Sequence, residues 1–193
     1  MTTFHQLAFT EGVKALQTRH GSRAASARTE AGRGSDAGDR LGPDERAFLA
    51  ERDSFYLASV GETGWPYVQH RGGPRGFVKV LDDSTLAFAD YAGNRQYISV
   101  GNVGHDDRVA LVFVDYPNRA RLKLLAHARI VDAATDPDLV ARVSDGGAPG
   151  RVERVVVLTV AGLDWNCSQH IVPRYTEDEV RAALAAADEA RER

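Results

Sequence analysis

One cysteine, one methionine and two tryptophans are the chain's scarcest residues among its 193. A single cysteine, Cys167, excludes an intramolecular disulfide framework and fits a reducing compartment. Lying near His170 with no third group to orient the pair, it reads as an unreactive thiol rather than a nucleophile. Paired-cysteine and HExxH spacings are absent, and His70, His105, His127 and His170 are scattered, so no metal site is expected. No apolar run approaches the roughly 18 residues that a bilayer span needs. The N-terminus, Met-Thr-Thr-Phe-His-Gln, lacks the basic-then-apolar order of a secretion signal. A cytoplasmic protein with no membrane partner is the expectation.

Large charge of either sign is also missing, the formal net charge being −3. Residues 65–130 carry nine Lys and Arg against six Asp and Glu. Residues 131–193 carry seven against twelve. A basic excess this small excludes a nucleic-acid module and suits a small anionic ligand.

What is present is a run of short apolar segments. Residues 10–19 read as a helix capped by Thr10, with Val13, Leu16 and Leu7 sharing a face. Residues 20–42, rich in Gly, Ser, Ala and Arg, read as a flexible loop. Pro43 to Arg52 has the proline, early acids and late arginine of a helix. The pattern then turns to β: 55–60, 65–70, 76–81, 85–89, 108–114, 122–131 and 151–160 are expected strands, with Pro66 tolerable at a strand start. Helices are expected at Asn94 to Val100, at Asp136 to Arg142 behind an Asp136 cap, and after the capping box Thr176-Glu-Asp-Glu179. The expectation is one domain over 1–193. Within it, 1–42 is a helix and loop, 43–163 the core and 164–193 a terminal segment with a helix. Short strands joined by tight turns point to a small, closed or nearly closed antiparallel β-barrel of six or seven strands with peripheral helices.

Two stretches hold the chemistry. Arg71 ends a strand and is followed by Gly72-Gly73, where missing side chains leave an opening for its guanidinium. Asn94-Arg95-Gln96 follows Gly93 at an expected helix start, where unpaired N–H groups favour an anion. Arg121 and Lys123 alternate on one strand and so share a face. On spacing alone, surface arginines on a barrel explain these pieces equally well.

In their order along residues 44–170 they resemble the pyridoxamine 5′-phosphate oxidase-like family of FMN-binding split barrels. The segments that carry the likeness are Phe55-Tyr-Leu-Ala-Ser-Val60, Gly64-Trp-Pro-Tyr-Val-Gln-His-Arg-Gly-Gly73, Asp83 to Gln96, Asp107 to Val114 and Arg121 to Val131. The resemblance implies a homodimer with FMN at the subunit interface. It places Arg71 and Lys79 on the first cofactor-binding strands, and Asp90 and Tyr91 at a strand end lining the flavin. Asn94, Arg95 and Gln96 fall on the phosphate segment, and Arg121 on a strand reaching the ring. Trp165, Asn166, Gln169 and His170 fall on a segment closing over the flavin, with His170 the candidate proton relay. Asp164 to Tyr175 departs from the oxidase's arginine- and histidine-rich ending, which argues against pyridoxamine 5′-phosphate as substrate. The function implied is flavin-mediated redox of another small molecule, with a nicotinamide cofactor as one candidate reductant. The alternatives are a non-catalytic flavin-binding, storage or sensor protein, and a split barrel for haem or a deazaflavin, with His70 or His170 as haem ligand.

Overall fold

The computed structural model describes residues 3–32, 39–93, 95–144, 150–166 and 168–191. Seven strands form one antiparallel sheet: β1 (Ser54–Val60), β2 (Pro66–Gly72), β3 (Lys79–Val80), β4 (Thr85–Tyr91), β5 (Arg108–Asp115), β6 (Ala120–Asp132) and β7 (Val152–Asn166). Their spatial order is β2-β1-β5-β6-β7-β4-β3. The sheet curls without closing through its backbone, which is the split-barrel fold. Side chains bridge the gap: Arg71 near the end of β2 bonds Asp90 on β4.

Alternation decides which way each strand faces. Phe55 and Leu57, Leu111 and Phe113, and Leu122 and Leu124 are all buried. Successive strand residues point to opposite faces, so these every-other positions line one interior. Phe55 and Phe113 stack there with ring centroids 4.8 Å apart, and Phe88 meets Phe55 edge-on at 5.3 Å. The Val155-Val156-Val157-Leu158 run is buried on both faces. Val156 and Leu158 join the barrel interior, while Val155 and Val157 pack with Leu139 and Val143 of α6 (Pro137–Val143).

The remaining helices are α1 (Phe4–Ala8), α2 (Glu11–Arg19), α3 (Arg23–Gly32), α4 (Pro43–Ala50), α5 (Ile98–His105) and α7 (Glu177–Arg191). Thr10 and Asp136 cap α2 and α6 as their chemistry predicts. Three expectations give way. Residues 23–32, expected in a loop, form α3, whose alanines favour helix and whose Arg23 and Glu30 pair along it. The strand expected over 76–81 shrinks to Lys79–Val80, after a turn in which Phe77 N–H bonds Pro74 carbonyl oxygen. Leu7 belongs to the separate helix α1.

Gly162 lets α1 dock. A Cβ there would lie 2.7 Å from both the nitrogen and the Cα of Phe4. Asp39 fixes the same junction, accepting the N–H groups of Phe4 and Leu163. Among the described residues no helix is long and apolar enough to cross a membrane.

Candidate functional site

Where β2 faces β4 and β7, a cavity of about 170 Å³ opens beside the start of α5. Tyr67, Gln69 and Arg71 line it from β2. Their spacing of two residues puts all three on one face. Asp90 and Tyr91 line it from the end of β4, and Glu153 and Arg154 from β7. Neighbouring strand residues normally point apart, yet Glu153 and Arg154 face one cavity. The reason is a register shift, with Asp90 opposite Arg154 and Tyr91 opposite Val152. Such bulges re-aim side chains at sheet ends.

The segment before α5 completes the wall with Arg95, Gln96 and Tyr97. Arg95 and Tyr97 hold φ of 57° and 54°. Left-handed backbone is strained for residues with a Cβ, and it persists where the surroundings impose it. It also keeps Arg95 and Gln96 out of the helix, so the expected first turn around them is a loop. Helix α5 begins at Ile98 and runs on through Gly101 and Gly104 to His105. Tertiary bonds support it despite those glycines: Ser99 Oγ donates to Gln69 Oε1 at 2.8 Å, and Asn102 Nδ2 to Ser59 Oγ at 3.0 Å.

The electrostatic centre is Asp90. Its Oδ1 accepts from Arg71 Nη1 and its Oδ2 from Arg154 Nε, each at 3.0 Å. Arg154 Nη2 also donates to Glu153 at 2.7 Å, and its guanidinium lies 4.8 Å over the Tyr97 ring. Burial works against charge on Arg154. The hydrogen bond and charge of Asp90, with Glu153 behind them, outweigh it and raise the Arg154 pKa. Two buried polar atoms of the cavity residues, Arg71 Nε and Tyr91 Oη, have no hydrogen-bond partner among the described residues.

Of the residues singled out in the sequence, Arg71, Asp90, Tyr91, Arg95 and Gln96 therefore meet in one place. Asn94 lies outside the described residues, as do Cys167 and the side chain of Asn166. Lys79 stands apart, its Nζ donating to Gly76 carbonyl oxygen at 2.7 Å. Arg121, opposite Asn166 across β6 and β7, has a buried Nε without a partner among the described residues but does not line the cavity. Trp165 is held within the fold. Its Nε1 donates to Glu45 at 2.6 Å and its ring meets Phe48 edge-on at 4.8 Å. Gln169 and His170 are exposed beyond β7, His170 with φ of 64°, and neither lines this cavity. Gly72 and Gly73 do not open onto it either. A Cβ on Gly73 would lie 2.7 Å from the Phe77 ring, so this glycine serves core packing.

The cavity residues that the sequence did not single out include Tyr67, Gln69, Tyr97, Glu153 and Arg154. The first two share strand parity with Arg71, a signal present in the sequence. Glu153 and Arg154 carried none, because their placement depends on the pairing of β7 with a strand some 60 residues earlier.

Comparison with solved structures gives the same fold. A provisionally named pyridoxamine 5′-phosphate oxidase from Lactobacillus delbrueckii matches with a TM-score of 0.51 at 23% identity, covering 67% of this chain and 97% of that one. HupZ of Group A Streptococcus matches with a TM-score of 0.51 at 14% identity, covering 69% and 98%. No curated protein matches the sequence. The family model described as pyridoxamine 5′-phosphate oxidase matches residues 41–162, from the approach to α4 to the bulged middle of β7. With the split barrel and this arginine-lined cavity inside the matched span, the chain belongs to the pyridoxamine 5′-phosphate oxidase-like family.

Proposed function

We propose that the protein binds FMN through this cavity and uses it in the redox chemistry of a small molecule, as one half of a homodimer. The observation that carries the reading is the convergence of Arg71, Arg95 and Arg154 on a cavity with two buried polar atoms that have no partner among the described residues. A buried donor is costly unless paired. Phosphate oxygens are strong acceptors that match guanidinium and hydroxyl donors. Membership of a family that commonly binds flavin agrees with this.

Size argues for a second copy. A cavity of about 170 Å³ falls below the roughly 300–1,000 Å³ usual for cofactor pockets, so it suits the phosphate end and leaves the ring to another wall. The outer face of β1 and β2 supplies a surface for such a partner. Tyr56, Val60 and Val68 are exposed there beside Ala58 and Pro66, with Trp65 in the adjoining turn. A groove of about 500 Å³ continues this face across Ala110, Leu125 and Ala161. Contiguous apolar surface of this kind marks association sites. Arg121, Gln169 and His170 would reach a flavin from the partner, where His170 could move a proton.

When bound, the flavin supplies the electron transfer, and the chain's residues bind and orient it. The test is spectroscopic. Purified protein should show flavin absorbance released on heating, or acquire it on titration with FMN, and anaerobic reduction by a nicotinamide cofactor then separates enzyme from carrier. Protein that stays colourless and leaves FMN fluorescence unchanged would sink the proposal.

A further inference from the structure

We infer that Arg154 is a direct phosphate ligand in the cavity, and that Asp90 is a positioning residue that holds Arg71 and Arg154 aimed at it. The inference rests on the flavin-phosphate reading and adds to it a residue from β7 and a role for a carboxylate within an anion site.

The geometry separates the two arginines' tasks. Arg154 is pinned on three sides, by Asp90 at Nε, by Glu153 at Nη2 and by the Tyr97 ring beneath its plane. Its Nη1 edge has no hydrogen bond among the described residues, and the side chain is 20% exposed. Arg71, 18% exposed, gives only Nη1 to Asp90 and keeps a buried Nε without a partner among the described residues. Each guanidinium thus retains donors in the fork arrangement that fits phosphate.

Asp90 makes this pair of cations tolerable. Two guanidiniums near each other in a partly buried cavity repel, and a carboxylate between them offsets that repulsion. Each Asp90 oxygen takes a different arginine, so the carboxylate also fixes their separation. Both cations are then oriented before an anion arrives, which lowers the ordering cost of binding it. Counting Arg71, Arg95 and Arg154 against Asp90 and Glu153, the cavity keeps a positive surplus for a phosphate monoester.

The two roles give opposite signs in one variant. If Asp90 acted only as a negative charge in an anion site, Asp90→Asn would tighten FMN. As a positioning residue, its removal weakens FMN.

The experiment compares FMN with riboflavin, which lacks only the phosphate, in titrations of full-length wild type, Arg154→Ala, Arg154→Lys and Asp90→Asn. Circular dichroism checks that each variant is folded. Arg154→Ala should weaken FMN by roughly ten- to a hundredfold while changing riboflavin much less. Arg154→Lys keeps the charge and should recover only part of the FMN preference. Asp90→Asn should also lower the FMN-to-riboflavin preference. An unchanged preference in both Arg154 variants, or tighter FMN in Asp90→Asn, overturns the inference and leaves the flavin reading standing. If wild type binds neither flavin, the flavin reading fails, and calorimetric titration with inorganic phosphate decides the inference. Phosphate binding that Arg154→Lys weakens supports it, whereas phosphate binding that Arg154→Lys leaves unchanged, or none by wild type, overturns it.

Discussion

Nη1 of Arg71 stands 3.0 Å from Oδ1 of Asp90, joining the first strand of the sheet order to the sixth. Backbone pairing does not close this sheet, so the ion pair acts as a latch across the split. The two side chains are 18% and 12% exposed, too buried for solvent to screen the pair fully. Arg71→Gln should lower stability by about 1–3 kcal/mol, the range for losing a charged hydrogen bond. It should also speed amide exchange at the end of β2. Urea midpoints and hydrogen exchange check both, and no change in either would mean that β2 is held by β1 alone.

Gly162 gives a sharper steric case. Its missing side chain admits the Phe4 backbone, and backbone atoms cannot swing aside as a flexible side chain can. Gly162→Ala should therefore displace α1 from β7 while the barrel core stays packed, at a cost of about 1–3 kcal/mol. Limited proteolysis should cut the variant first near residues 3–20. Equal resistance in wild type and variant would show that the junction absorbs a methyl group.

Strands were legible where burial followed a simple rule. The alternation of Leu122 and Leu124 with Arg121 and Lys123 gave β6, and the Val155 to Leu158 run gave the buried part of β7. Helix α3 was hidden because its Arg, Ala, Ser and Thr residues have the composition of a solvated loop and bury no large side chain. The site was half legible. Arg71, Asp90, Tyr91, Arg95 and Gln96 sit at or just beyond the ends of recognisable segments, whereas Arg154 becomes a site residue only through the bulge opposite Asp90. Trp165 was conspicuous as an aromatic near the chain end, but its bond to Glu45 crosses 120 residues and has no local signature.

Asp115 predicts an acid-dependent stability. It is 9% exposed on its side chain and accepts from Asn118 N–H at 3.0 Å, Asn118 Nδ2 at 3.1 Å and Arg52 Nη2 at 2.9 Å. Burial opposes its ionisation, but these donors outweigh burial and hold its pKa below the ordinary 3.8. A depressed folded-state pKa gives stability that is complete above the unfolded value and lost as pH falls through the folded one. Asp115→Asn should cost about 2 kcal/mol near neutrality. The penalty should shrink as pH drops below about 4. Urea midpoints measured across that range check the sign, and a pH-independent penalty would be the contrary result.

The outer face of β1 and β2 bears on the whole site. Val68 is 61% exposed, pairs with Ala58 across the two strands and lies between Pro66 and His70 on the same face. On an isolated chain Val68→Lys would place a charge in water at little cost, so the fold should survive. In a dimer built on this face the same charge would be buried without a partner, which costs several kcal/mol and should split the subunits. Sedimentation velocity is expected to find a wild-type dimer and a Val68→Lys monomer. If one subunit's cavity takes only the phosphate end, as proposed, FMN affinity should fall with the dimer. A monomeric wild type that binds FMN fully, or a Val68→Lys dimer indistinguishable from wild type, would remove this face from the flavin site.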